Sequence, residues 1–252
     1  MINIVCVKWG TRYDAYVEKL KKQIENNCTL EYKFFCLTDN PKESYDIQLP
    51  ENWDKYYNCN TDNFWAYRKL YMFKEDLFPE LDGDQFLYLD LDVLIHNNID
   101  YLFADDFDMT KPYIVRGWWN DTGNCRKNFG KIKSTPLNSS MIRWNRNQLL
   151  SVYWQVNTYA EYIFFTYSTI DNYFNHNWYD ITNEAEGFFQ GFSKGTVYSW
   201  YKGNIFPDDM EANKLRYDHV LCLFNNSHSV KNNKRGDEHM SEIKEIKELW
   251  TT

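Results

Sequence analysis

Residues 86–95, Phe-Leu-Tyr-Leu-Asp-Leu-Asp-Val-Leu-Ile, form the most apolar run of the chain, and two acids, Asp90 and Asp92, interrupt it. Such a run reads as a strand buried inside a sheet. An unpaired carboxylate buried there would cost on the order of several kcal/mol. The pair therefore demands either cationic company or an open edge. Side chains alternate along a strand, which puts Asp90 and Asp92 on one face, roughly 7 Å apart, with Leu89, Leu91 and Val93 on the other. Two carboxylates on one face at the end of a strand suit a hard divalent cation, Mn²⁺ or Mg²⁺. Ligands of open α/β sheets sit outside the carboxyl ends of the strands, which fits this placement. Simple solvation of both acids is the alternative, and the return of apolar residues at Val93-Leu94-Ile95 argues against it.

The residues before this run prepare a sheet for it. Ile2-Asn3-Ile4-Val5-Cys6-Val7 predicts a buried strand, followed by a Gly-containing loop around Gly10. Tyr16, Val17, Leu20 and Ile24 recur at helical spacing. Residues 32–37 predict a second strand, closed by the turn signal Thr38-Asp39-Asn40-Pro41. Strand, helix, strand in this order begins a doubly wound parallel sheet. A helix over residues 63–77 is expected to carry Trp65, Leu70, Phe73 and Leu77 on one side. Residues 96–135 read as polar and loop-rich, with later apolar segments near 137–144, 159–174, 188–201 and 219–224. No linker divides the 252 residues, so one domain over 1–252 is expected, with halves at 1–95 and 96–252.

Composition narrows the function. Acidic residues outnumber Lys and Arg by 36 to 28, a net charge of -8 without a basic cluster, so no nucleic acid is expected as partner. An acidic chain that binds a polyphosphate needs a local counter-charge, which a divalent ion supplies. The 20 Tyr, 17 Phe and 10 Trp can stack on bases and sugars, although most are expected in the core. The six cysteines form no Cys-x-x-Cys pair, which argues against zinc and for reduced thiols. No signal-peptide pattern and no membrane-spanning stretch are visible, so a cytoplasmic protein is expected. The Asn-x-Ser/Thr sites at Asn27, Asn120, Asn138 and Asn225 then read as chance matches.

An Asp-x-Asp after an apolar strand also occurs in haloacid-dehalogenase-type phosphatases, and Asp208-Asp209 imitates their later acid pair. That motif continues with Gly-Thr near the start of a chain, whereas Val93-Leu94 follow here and some 90 residues precede. Taken together, residues 7–13, 36–39, 64–73, 86–95 and 137–144 resemble GT-A-fold glycosyltransferases, close to the family 8-like bacterial and viral enzymes. The resemblance covers most of the chain and is most specific at Asp90-Leu91-Asp92. It implies a Rossmann-like mixed sheet flanked by helices. The implied activity is metal-dependent transfer of a hexose from a nucleotide sugar, a UDP-hexose, to a hydroxyl acceptor, with retention of configuration.

The resemblance also implies roles. Asp90 and Asp92 hold Mn²⁺ or Mg²⁺, and His228 is the third ligand, with Asn225 as the alternative that matches the family's register. Val7, Lys8, Trp9, Tyr13, Asp90, Leu91, Asn138, Ser139 and Lys231 line the nucleotide sugar. Lys69 reaches the sugar or a phosphate, or else pairs with Asp62 or Glu75. Asp171 steers the sugar or the acceptor, or else caps a helix. Asn172 stands where the family often has Gln. An inverting enzyme would need a general base, for which Asp171, Glu184 and Glu186 are available. Two other readings use the same residues: a phosphatase or nucleotide-sugar hydrolase, and a catalytically silent carbohydrate-binding protein.

Overall fold

The computed structural model describes residues 1–11, 13–50, 64–78, 83–104, 107–116, 127–128, 131–132, 136–167, 169–178, 188–192, 196–200 and 221–224. Strand β1 (Ile2–Lys8) leads into helix α1 (Asp14–Asn27), strand β2 (Tyr32–Thr38) and the short β3 (Asp46–Gln48). A 3-10 helix, Phe64–Phe73, precedes β4 (Gln85–Leu89) and β5 (Val93–Ile95). There follow a 3-10 turn, Asp100–Phe103, then β6 (Tyr113–Arg116), β7 (Lys127–Asn128), β8 (Lys131–Ile132) and β9 (Leu137–Asn145). Helices α2 (Leu150–Thr166) and α3 (Ile170–Asn177) come next, then β10 (Gln190–Gly191), β11 (Val197–Trp200) and β12 (Leu221–Phe224).

The main sheet has seven strands in the order β10-β6-β9-β4-β1-β2-β3. Strands β1, β2, β3 and β4 run parallel, as the strand-helix-strand opening predicts. β9 runs antiparallel to both β4 and β6, so the sheet is mixed. The chain crosses from β1 through α1 to β2 on one side and later places β4 on the other side of β1. That reversal makes a switch point between β1 and β4, where open sheets form a crevice at their carboxyl edge.

Alternation along β1 sorts the core into two layers. Ile4 and Cys6 pack with α1 on one face. Val5 faces the 3-10 helix, α2 and α3 on the other. The sequence spacing of α1 is realised: Tyr16, Val17, Leu20 and Ile24 are buried, each contributing roughly 1.5–3 kcal/mol before chain entropy is charged. Many of the aromatic residues serve the second layer, where Phe86 stacks on Trp144 at 5.0 Å and Tyr67 meets Phe164 at 4.6 Å.

Several expectations are corrected. The helix expected over 63–77 ends at Phe73 and is tightly wound, and every residue from Tyr67 to Phe73 is buried rather than one side only. From Tyr67 to Phe73 it is enclosed between the sheet and α2. Lys74–Asp76 then turn away, with Asp76 at φ 56°. Residues 96–135 hold more than loop: β6 sits inside the main sheet. The strand expected through Asp90 and Asp92 also breaks. β4 stops at Leu89, and β5 belongs to a three-stranded sheet with β12 and β11. Among the described residues, no helix is long and apolar enough to cross a membrane.

Candidate active site

The broken strand makes the site. Asp90 is the last residue held by the main sheet, because its N–H donates to the Ser140 carbonyl on β9 at 2.8 Å. Tyr88 and Asp90 therefore keep the two-residue alternation and share the face covered by the 3-10 helix. Beyond Asp90 the backbone turns through Leu91 and Asp92 and re-enters as β5, paired antiparallel with β12. Leu91 and Val93 are buried with the first core layer, while Asp92 is half-buried. The two carboxylates thus sit on a turn at the carboxyl edge of the sheet rather than side by side on a flat strand.

Asp90 has cationic company. Lys69, 7% exposed, donates from Nζ to Asp90 Oδ1 at 3.0 Å and to the carbonyl and hydroxyl oxygens of Ser139, each at 3.3 Å. The Tyr88 hydroxyl also donates to Asp90 Oδ1. Burial pushes the Tyr88 phenol well above its ordinary range, and the Asp90 charge pushes it further. The phenol stays protonated and keeps donating. Both donors engage Oδ1, which leaves Oδ2 for another partner. Lys69 pairs with neither Glu75, which is exposed, nor, as its first partner, with solvent; Asp62 lies outside the described residues.

Asp171 joins the cluster from α3. Its Oδ1 accepts from the Ser139 backbone N–H at 2.9 Å, tying α3 to β9. It does not cap the helix: Thr169 does, its side chain accepting from Asn172 N–H at 3.2 Å. Burial raises the Asp171 carboxyl above the usual carboxylate range, against the pull of Lys69 and the Ser139 hydrogen bonds. Tyr67, on the turn before Lys69, is raised by burial and then by Asp171. Lys69, Asp90, Ser139 and Asp171 come from four elements and meet at one place.

The loop after β1 reaches the same edge. Parallel pairing sets Val5 opposite Tyr88, so the end of β1 lies level with the Asp90-Leu91-Asp92 turn. Lys8 is tied to Asp14 at 2.6 Å, and Lys42 reaches the same carboxylate at 3.0 Å. Burial works against the Lys8 charge, yet the Asp14 bond outweighs it and raises its pKa. Gly10, at φ 67°, donates its N–H to Asp39 Oδ1 at 2.8 Å, joining the ends of β1 and β2. Trp9 lies against the Arg68 guanidinium, 2.9 Å from ring centroid to Cζ, and Tyr13 packs edge-on against Tyr16 at 5.5 Å. Val7 packs into the second core layer. Asn138 bends β9 locally, its side-chain oxygen accepting from Ser140 N–H at 2.9 Å.

Asp90 and Asp92 offer hard oxygen donors, and a divalent ion is commonly held by two carboxylates with substrate phosphates completing its shell. The donor set fits such an ion. Among the described residues no third His, Cys, Asp or Glu joins them. His228, Asn225, Lys231, Glu184, Glu186 and Asp208-Asp209 all lie outside the described residues. Sequence reasoning missed three participants: Tyr88, Arg68 and the Ser139–Asp171 bond. A hydroxyl two residues before Asp90 on the same face was the available signal for Tyr88.

No protein-family model and no curated protein sequence matches this chain. Solved structures do. An active-site mutant of LgtC, with a glutamine replaced by glutamate, superposes with TM-score 0.61 at 13% identity, covering 98% of this chain and 94% of that one. The galactosyltransferase LgtC in complex with donor and acceptor sugar analogs gives TM-score 0.59 at 13% identity, covering 99% and 95%. Two chains that share so few residues, yet superpose over nearly their whole lengths, share an architecture: this protein has the GT-A glycosyltransferase fold.

Proposed function

We propose that the protein is a metal-dependent glycosyltransferase that moves a hexose from a UDP-sugar to a hydroxyl acceptor with retention of configuration. The observation that carries this reading is the charged cluster of Lys69, Asp90 and Asp171 at the carboxyl edge of β4, inside a GT-A fold, with Asp92 two residues further on. The same fold favours transfer over the phosphatase reading. Residues 1–95 would hold the nucleotide and 96–252 the acceptor.

Asp90 and Asp92 hold the divalent ion, Mn²⁺ or Mg²⁺. When bound, that ion supplies a Lewis acid for the negative charge on the departing diphosphate, on the order of several kcal/mol. Register supports a third ligand from the C-terminal segment. β12 runs antiparallel to β5 with Leu223 opposite Val93, so the strand ends at Phe224 on the Asp92 side. Asn225 follows directly and His228 three residues later; imidazole is the commoner ligand, and we favour His228. Lys231 is then the cation for the diphosphate.

Lys69 fixes Asp90 and brings positive charge to the floor of the crevice. Asp171 holds Ser139 against that floor and steers the sugar or the acceptor. Leu91 and Asn138 shape the turn and the strand beside the sugar. Val7, Lys8, Trp9 and Tyr13 border the nucleotide, and Trp9 or Tyr13 stacks on the base. We place the enzyme in the cytoplasm.

The test is a panel of nucleotide sugars, with and without Mn²⁺, read by release of nucleoside diphosphate. Acceptor-dependent release that requires the metal is the expected result. Phosphate release from simple monoesters would replace transfer by the phosphatase reading. Stabilisation by UDP and Mn²⁺ without turnover would leave a silent binder. NMR of the product's anomeric proton reads retention directly, and clean inversion would overturn it.

A further inference from the structure

Helix α2 turns two different faces outward and inward. Val152, Tyr153, Val156, Ala160, Ile163 and Phe164 are buried. On the other side Trp154 is 52% exposed, Tyr159 60%, Tyr162 64% and Phe165 68%. Trp154, Thr158, Tyr162 and Phe165 follow one another at spacings of four, four and three residues. At 3.6 residues per turn this puts them on one stripe about 80° wide, with Tyr159 alongside. Such spacing is that of a seam between two packed helices.

Single exposed rings are ordinary on a soluble protein, but four neighbouring ones are not. At 150–250 Å² per ring, these exposures leave roughly 500 Å² of ring surface in solvent. Glu161 is the one charged residue of α2, and the helix has no Lys or Arg.

We infer that this face is the interface of a homodimer, in which α2 of two copies pair antiparallel about a twofold axis near residue 160. Covering the four rings on both copies buries about 1,000 Å², the minimum for a specific interface, and a polar rim adds to it. The stripe is self-complementary in size. A twofold near residue 160 sets Trp154 against Phe165 of the partner subunit and the small Thr158 against Tyr162 of the partner subunit. It also falls at the bend in α2, where Tyr159 leaves helical geometry at φ -117°, ψ 28°.

Sedimentation equilibrium of the full chain at neutral pH tests this. The wild-type protein is expected to dimerise, with half association at micromolar concentration. Tyr162→Ser, and separately Trp154→Ser with Phe165→Ser, are each expected to weaken association at least tenfold. Their circular dichroism should remain that of the wild type, since these side chains face solvent. A wild-type protein that stays monomeric at 100 µM would overturn the inference. So would folded variants that dimerise as tightly as wild type. Co-sedimentation of a monomeric wild type with phosphatidylcholine vesicles, lost in the same variants, would assign the face to a bilayer instead.

Discussion

Replacing Lys69 by Met keeps the length of the side chain and removes its charge. At 3.0 Å the pair with Asp90 has about 5 kcal/mol of Coulomb attraction at an effective dielectric of 20. Desolvation offsets much of this. The Lys69 side chain is 9% exposed and that of Asp90 24%, so the site lies between a surface pair, worth about 0–1 kcal/mol, and a fully buried one, whose breaking costs about 3–5 kcal/mol. A loss of about 2–3 kcal/mol follows, and for a chain of this size that lowers Tm by roughly 5–10 °C. The assay is thermal unfolding of wild type, Lys69→Met, Asp90→Asn and the double variant. The second change should cost less once the first is made, with a coupling of about 1 kcal/mol or more. Mn²⁺ should recover part of the Lys69→Met loss by supplying Asp90 with a new counter-charge, while transfer activity stays lost. Costs that add within about 0.5 kcal/mol would refute the ion pair as the organiser of the site.

Other substitutions probe the remaining parts. Asp92→Ala is expected to fold normally and to lose Mn²⁺-dependent nucleotide binding by more than the ~10–100-fold that removal of a supporting partner costs; calorimetry with unchanged affinity would remove Asp92 from the site. Asp171→Asn keeps an oxygen for the Ser139 N–H and removes the half-buried charge. Because the folded pKa of Asp171 is raised, its stabilising contribution is complete below the unfolded value and lost as pH rises through the folded one. The variant should therefore melt higher than wild type at pH 7, by a margin that shrinks towards pH 4, while transfer falls about 100-fold. Asp100 behaves oppositely: burial opposes its charge, but hydrogen bonds from Thr29 and Asn98 win and hold its pKa at about 2. Asp100→Asn should cost about 1 kcal/mol at pH 6, and the difference from wild type should vanish as pH falls from 4 to 2, read by the same melts.

The elements that could be read in the sequence are those whose burial is one-sided or continuous. The four apolar positions of α1 repeat at helical spacing because only one face packs, and β1 and β2 read as strands because both faces are covered. β6 escaped notice because Tyr113–Arg116 is only four residues long and ends in Arg116, so its place between β10 and β9 depends on partners far along the chain. β3 escaped for the same reason, held by pairing of Asp46–Gln48 with Cys36–Thr38. The 3-10 helix was recognisable as helical from its apolar content, but its winding and its burial all round arise from α2, which packs on it 80 residues later.

At the site, the residue types were legible and their company was not. Two acids inside an apolar run could be seen to need a cation. Side-chain alternation, however, gave no warning that the chain would leave the sheet between them. What fixes Asp90 is a set of long-range bonds: Ser140 on its backbone, Lys69 and Tyr88 on its carboxylate. Those bonds satisfy one oxygen and spare the other, which a flat strand with two equivalent carboxylates would not do. The turn at Leu91 then takes Asp92 out of the main sheet and leads the chain into β5, which pairs with β12 instead. A site assembled in this way separates an anchored carboxylate, Asp90 on Lys69, from a second one, Asp92, carried by the turn beyond the sheet. The intervening Leu91, 9% exposed, pins that turn to the core between its two charged neighbours.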